Sequence, residues 1–188
     1  MLADVDRILI SREQIAERVR EMARQITEDI SGQSGEITIV PILTGAMIFC
    51  GDLIRHIPVT LRIGMITVSS YPGRSIQSQG AQVIARQLED VRDRNVLLVD
   101  DILDTGKTLG LVVPLIREMG ACSVRTCVLL RKDRPPARSF AADYVGFDIP
   151  DEFVVGYGLD FNNYYRNLPD IVTLKPHVLE NAREHSPR

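Results

Sequence analysis

Residues Val96 to Thr108 read Val-Leu-Leu-Val-Asp-Asp-Ile-Leu-Asp-Thr-Gly-Lys-Thr. Four consecutive apolar residues predict a buried strand. Two adjacent acids, Asp100 and Asp101, follow where that strand is expected to end, and a third, Asp104, opens a Thr-Gly turn. Leu109, Val112, Val113, Ile116 and Met119 then recur at helical spacing. A strand, a loop and a helix N-terminus in this order belong to an α/β chain. A helix N-terminus carries unpaired N–H groups and partial positive charge, so it suits an anion. Gly106 lets a phosphate approach the backbone closely, and Thr105 and Thr108 add hydroxyl donors. Lys107 reads either as a phosphate contact or as a solvated lysine in the first helical turn. Acids beside an anion site make sense when the ligand also has hydroxyls, a metal or a proton to lose.

Gly106-Lys107-Thr108 looks like the end of a nucleotide-binding P-loop. That loop needs a glycine five positions before Gly106, where this chain has Asp101. An acid there repels a triphosphate, which argues against an NTPase. Capping a turn does not need three acids in this order, so a merely structural loop is also disfavoured.

The rest of the chain repeats the alternation. Ser11 and Gln14 fit a capping box ahead of a helix with Ile15, Val19, Met22, Ile26 and Ile30 on one face, ended by Gly32. Strands are expected at 36–41, 59–69, 122–130 and 144–147, and a second helix at 45–55. Pro114 interrupts the helix after the acidic loop and is expected to kink it or cost a hydrogen bond. Strands alternating with helices predict a mostly parallel sheet covered on both faces, with ligands beyond the carboxyl ends of its strands. A length of 188 residues suggests one domain. The net charge of −3 argues against a broad nucleic-acid surface. No run of transmembrane length and no secretory leader is read, so a cytoplasmic protein without membrane partners is expected. Cys50, Cys122 and Cys127 have apolar neighbours and no metal spacing, and are expected to be buried free thiols.

The block at 96–108 resembles the phosphoribosyl-diphosphate signature of type I phosphoribosyltransferases. Three further stretches are Leu129-Leu130-Arg131-Lys132, the run Asp143 to Asp160, and Asn163-Tyr164-Tyr165-Arg166-Asn167-Leu168-Pro169. Together they are similar to the hypoxanthine–guanine phosphoribosyltransferase family, over roughly residues 36–174. The resemblance implies a type I phosphoribosyltransferase fold: a mostly parallel central sheet flanked by helices, with a small hood. It implies a single domain over 1–188, with its core at about 11–149 and its hood from about 1–10 and 150–176. The implied reaction joins a 6-oxopurine to phosphoribosyl diphosphate with Mg2+, giving IMP or GMP and pyrophosphate. The implied assembly is a homodimer or homotetramer.

By the same resemblance, Asp100 and Asp101 hold the ribose hydroxyls directly or through magnesium, and Asp104 is the general base at purine N7. The backbone from Asp104 through Thr105, Gly106 and Lys107 to Thr108 cradles the 5′-phosphate. Lys132 donates to purine O6, Phe153 stacks on the base and Val154 reads its edge. Arg131 competes with Lys132 by sequence alone, and the family spacing counted back from Asp160 selects Lys132. Asp160 is the implied ligand of a second magnesium, and Arg166 the clamp on pyrophosphate. Thr44 stands where many members have a lysine, so Thr44 and Gly45 are expected to bind pyrophosphate by backbone, through an unusual cis peptide as in the family. Ser70 and Tyr71 fall in the loop 69–80, which matches the family's mobile lid. Two other readings differ in class or substrate: a regulator that senses phosphoribosyl diphosphate while binding RNA or DNA, and an enzyme for another base, such as a pyrimidine or xanthine, which differs from hypoxanthine and guanine only at C2. The retained Asp104 and the negative charge disfavour the regulator, and Lys132 with Phe153-Val154 favours a 6-oxopurine.

Overall fold

The computed structural model describes residues 1–30, 36–69, 82–88 and 90–184. In chain order the elements are β1 (Val5–Ile10), α1 (Arg12–Ile30), β2 (Ile37–Leu43), α2 (Met47–Ile54), β3 (Leu61–Ile63), β4 (Met65–Ser69) and β5 (Gln82–Gln87). Then come β6 (Asn95–Leu103), α3 (Lys107–Glu118), β7 (Ser123–Lys132), α4 (Pro135–Ser139), β8 (Tyr144–Ile149), β9 (Val154–Val155), β10 (Ile171–Leu174) and α5 (Pro176–Glu184).

Helix α1 starts at a reciprocal cap: the Ser11 N–H donates to Gln14 Oε1 at 2.9 Å, and the Gln14 N–H to Ser11 Oγ at 3.4 Å. Its Ile15, Val19, Met22 and Ile26 are buried along one stripe, as their spacing predicts. The expected stop at Gly32 lies outside the described residues.

The central sheet runs β5-β4-β2-β6-β7-β8, with β3 also beside β2. Its pairings are parallel except for β4 with β5. Successive side chains of a strand point to opposite faces, and the packing follows that alternation. Ile39, Leu97, Val99, Cys127 and Leu129 pack with the buried stripes of α1 and α2. Val40, Ile42, Val96, Leu98 and Val128 pack with Leu109, Val112 and Ile116 of α3. The chain therefore has the expected α/β architecture, with helices on both faces.

Four local expectations change. The strand expected at 59–69 is broken at Gly64, where β2 exchanges its partner β3 for β4. Pro41 of β2, which has no N–H to give, sits at that exchange. Strand β6 does not end at Val99: its pairing with β7 continues through Asp100, Ile102 and Leu103. Pro114 lies within α3 without ending it, and its i−4 residue is the exposed Gly110, whose carbonyl solvent can satisfy. Cys50 and Cys127 are buried, but Cys122 is exposed: its N–H bonds Arg94 O at 2.8 Å in the turn before β7, at the end of the sheet remote from Asp100.

A second, antiparallel sheet is ordered β1-β10-β9. Its Ile10, Val154 and Ile171 join the core beneath α1 and α2, while Val155, Val172 and Leu174 pack with Leu168 on the other side. Among the described residues, no helix is long and apolar enough to cross a membrane.

Candidate active site

Strand β6 outruns its pairing with β2, which ends at Pro41 opposite Val99, and so carries Asp100 and Asp101 to the edge of the core. Asp100 is only 6% exposed. The Asp101 N–H donates to Asp100 Oδ1 at 3.1 Å, and the Ile102 N–H to Asp101 Oδ1 at 2.9 Å. Burial, and then the neighbouring Asp101 charge, push the Asp100 carboxyl well above the usual carboxylate range. Burial also raises Asp101, and the Arg166 charge works in the opposite sense. Two adjacent carboxylates, one buried and one half-buried, offer the oxygen ligands that a hard cation takes. Among the described residues no group of three or more His, Cys, Asp and Glu could hold a metal ion. A magnesium here would have to share its ligands with a substrate, as that ion commonly does.

Beside this pair β2 ends in a cis peptide between Leu43 and Thr44. Thr44 is exposed. Gly45 lies so close to the acids that a Cβ there would sit 1.8 Å from Asp101 Oδ2. On its other side, a Cβ on Gly158 would sit 2.3 Å from Gly45 O, and the φ of +105° at Gly158 also favours glycine. Arg166 closes the group. Its Nη1 donates to Gly158 O at 2.7 Å, and its Nη2 pairs with Asp160 Oδ1 at 2.7 Å. Asp160 Oδ2 accepts the Asn163 N–H at 2.8 Å. Thr44, Gly45, Asp101, Asp160 and Arg166 are thus brought together from three separate stretches of chain.

After β6, Asp104, Thr105 and Gly106 form the bend that opens α3. Gly106 has φ +74°, and a Cβ on it would lie 3.2 Å from Phe140 Cβ. Two constraints, left-handed backbone and a close neighbour, therefore require glycine. The Lys107 N–H reaches Thr105 Oγ1 at 3.5 Å. Thr105 and Lys107 are exposed and Thr108 half-buried. The first N–H groups of α3 have no helical acceptor and are suited to an anion.

Lys132 does not follow its strand but ends it, since β7 runs to that residue. This separates it from Arg131, whose Nε and Nη2 bond the two carboxylate oxygens of Asp148 on β8 at 2.7 and 3.1 Å. Lys132 is 12% exposed and points to the loop acids: its Nζ lies 3.7 Å from Asp104 Oδ2 and 3.3 Å from Asp151 Oδ1. Arg134 Nη1 donates to Asp104 Oδ1 at 2.7 Å and lies 3.7 Å from Asp151 Oδ1. Val154 is buried in β9, while Phe153 is 45% exposed and meets Phe161 edge-on, with ring centroids 5.4 Å apart.

Sequence reading missed Arg134 and Asp151. It also missed the pairing of Arg7 on β1 with Glu152, whose two oxygens Nη2 meets at 2.6 and 2.5 Å. Nothing local marks these residues: Arg7 and Glu152 are 145 positions apart, and Arg134 sits in a basic run. The expectation for Ser70 and Tyr71 lies outside the described residues.

A mostly parallel sheet thus gathers two acids near a strand end, a glycine-turned helix start and a lysine on the next strand end at one edge of the core. Comparison with known proteins names the class. The family model for the phosphoribosyl transferase domain matches residues 7–162, and the chain belongs to that family. It is 41% identical to the hypoxanthine-guanine phosphoribosyltransferase of Bacillus subtilis, over 95% of this chain and 99% of that protein. It is also 41% identical to the bifunctional protein TilS/HprT of Listeria innocua, over 93% of this chain, but spans only 27% of that longer protein. Among solved structures, a Staphylococcus aureus hypoxanthine phosphoribosyltransferase superposes with a TM-score of 0.86 at 39% identity, covering 95% of this chain and 96% of that one. A Trypanosoma cruzi hypoxanthine phosphoribosyltransferase variant, complexed with the product IMP, gives 0.87 at 34% identity, with 98% and 97% covered.

Proposed function

We propose that this chain is a purine salvage phosphoribosyltransferase that converts hypoxanthine, guanine or both, with phosphoribosyl diphosphate, to IMP or GMP and pyrophosphate. The observation that carries this reading is the approach of Lys132 Nζ to Asp104 Oδ2, 3.7 Å apart at the ends of neighbouring strands. O6 and N7 are neighbouring atoms on one edge of a 6-oxopurine. A cation and a carboxylate side by side match an acceptor at O6 and a proton at N7.

The chain's own residues divide the work as follows. The loop from Asp104 to Thr108 binds the 5′-phosphate through the free N–H groups of α3. Asp100 and Asp101 hold the ribose hydroxyls. The backbone of Thr44 and Gly45, with Arg166, binds the pyrophosphate, Arg166 through its forked donors. Lys132 donates to O6, which rejects 6-aminopurines because they offer no acceptor there. Phe153 stacks on the base and Val154 meets its edge. N9 forms the new bond to C1′ while the C1′–O bond breaks with its electron pair on the departing pyrophosphate. The N7 proton passes to Asp104, and its bonding pair stays in the ring.

Asp100 and Asp101, with Asp160 as a second position, would hold Mg2+. When bound, the ion offsets charge on the diphosphate and its leaving group. We assign the small β1-β10-β9 sheet as the hood over the base, within one domain. The working form is a cytoplasmic homodimer or homotetramer whose partners are small molecules, not nucleic acid or membrane.

The test is a spectrophotometric assay with magnesium, phosphoribosyl diphosphate and hypoxanthine, guanine, xanthine or adenine in turn. Turnover of hypoxanthine or guanine, with adenine slower by a factor of about 10⁴ or more, is expected. Turnover of adenine, or of no base at all, contradicts the proposal.

A further inference from the structure

We propose that Arg134 is a positioning residue for Asp104: it holds one carboxylate oxygen so that the other is presented to the purine. This rests on the reading of Asp104 as the general base.

The two oxygens of Asp104 face different cations. Oδ1 accepts from Arg134 at 2.7 Å, while Oδ2 lies 3.7 Å from Lys132 Nζ. If Lys132 moves onto O6, the oxygen beside it is the one next to N7. Arg134 leaves that oxygen alone and pins the other. The arrangement outlasts proton transfer, because an acid protonated on Oδ2 still offers Oδ1 to the guanidinium.

The backbone of Arg134 is itself fixed. Its N–H donates to Lys132 O at 2.9 Å, turning the chain back over the end of β7. Pro135 follows, and a residue before proline is driven to extended backbone, here φ −145° and ψ 150°. The Arg138 N–H bonds Arg134 O at 3.0 Å as α4 begins. Asp151 faces both cations, at 3.3 Å from Lys132 and 3.7 Å from Arg134. The four groups therefore balance in charge. When Lys132 turns to the purine, Arg134 remains as the cation on Asp104. Arginine suits this duty: it stays charged at every working pH, and its rigid planar head directs an N–H at Oδ1 where lysine's ammonium on a flexible stem does so less well.

The experiment compares Arg134→Gln, Arg134→Lys, Asp104→Asn and the double variant Arg134→Gln/Asp104→Asn. It measures kcat, purine KM, binding of phosphoribosyl diphosphate, and melting. Arg134→Gln is expected to lower kcat about 10- to 100-fold, the scale of a misplaced reacting group. Purine KM and phosphoribosyl diphosphate binding stay near wild type, and Arg134→Lys recovers part of the loss. In the Asp104→Asn background Arg134→Gln adds nothing, as expected of residues acting as a unit. Normal kcat in Arg134→Gln beside a disabled Asp104→Asn overturns the inference alone. So does a loss that multiplies in the double variant, or one that follows melting and is absent from a folded Arg134→Lys. Full activity in Asp104→Asn overturns the base assignment, and this inference with it.

Discussion

Asp100 shows the conflict between stability and chemistry most sharply. A carboxyl whose pKa is raised on folding contributes its full stability below the ordinary value of 3.8 and loses it as pH rises through the folded value. At neutral pH the buried Asp100 carboxyl beside Asp101 therefore strains the unliganded fold. Asp100→Asn keeps an acceptor for the Asp101 N–H and removes the charge. It should melt a few degrees above wild type at neutral pH, with the gap closing in acid buffer, while turnover falls steeply. A variant that melts lower at neutral pH, in a scan without magnesium or substrate, would remove this account of the pair. Gly45 belongs to the same conflict: Asp101 Oδ2 occupies the space of its missing side chain, so no other residue fits without moving the acid.

At the scale of elements, the best-read parts are those whose information is local. Helix α1 declares its start through Ser11 and Gln14 and its face through Ile15, Val19, Met22 and Ile26. Ser11→Ala should cost about 1 kcal/mol, seen as a lower urea midpoint with an unchanged slope; an unchanged midpoint would mean the cap is idle. The central apolar strands were equally readable. Strand β6 was cut short because two acids look like a strand end, yet pairing with β7 continues beneath them. The two-residue β9, the short β10 and helix α4 were not assigned from local pattern. Val154 and Val155 form a strand only because Val172 and Thr173 lie opposite, a partnership with no trace in nearby sequence. In the site, the loop at 100–108 was readable because its residues are contiguous. The choice between Arg131 and Lys132 came from family spacing, because their different partners are not local: Asp148 on the next strand takes the arginine, and Asp104 and Asp151 in the loops face the lysine.

For the molecule as a whole, the two sheets bring the residues proposed for the sugar and for the base into one place. The central sheet supplies Asp100, Asp101, Asp104 and Lys132 from the ends of β6 and β7. The small sheet anchors the stretch that carries Asp151, Phe153 and Val154, through β9 and through the tie from Arg7 to Glu152. Residues 145 positions apart are thus joined next to the stretch proposed to meet the base, which is why the N-terminal segment looks featureless in sequence and is not so in the fold. The most direct test of the account is hypoxanthine turnover by wild type and Asp104→Asn, with phosphoribosyl diphosphate binding measured on the same samples. A loss of about 10²- to 10⁴-fold in the variant, with binding retained, is the predicted result. Equal turnover in the two proteins, or none in wild type despite tight binding, would contradict it.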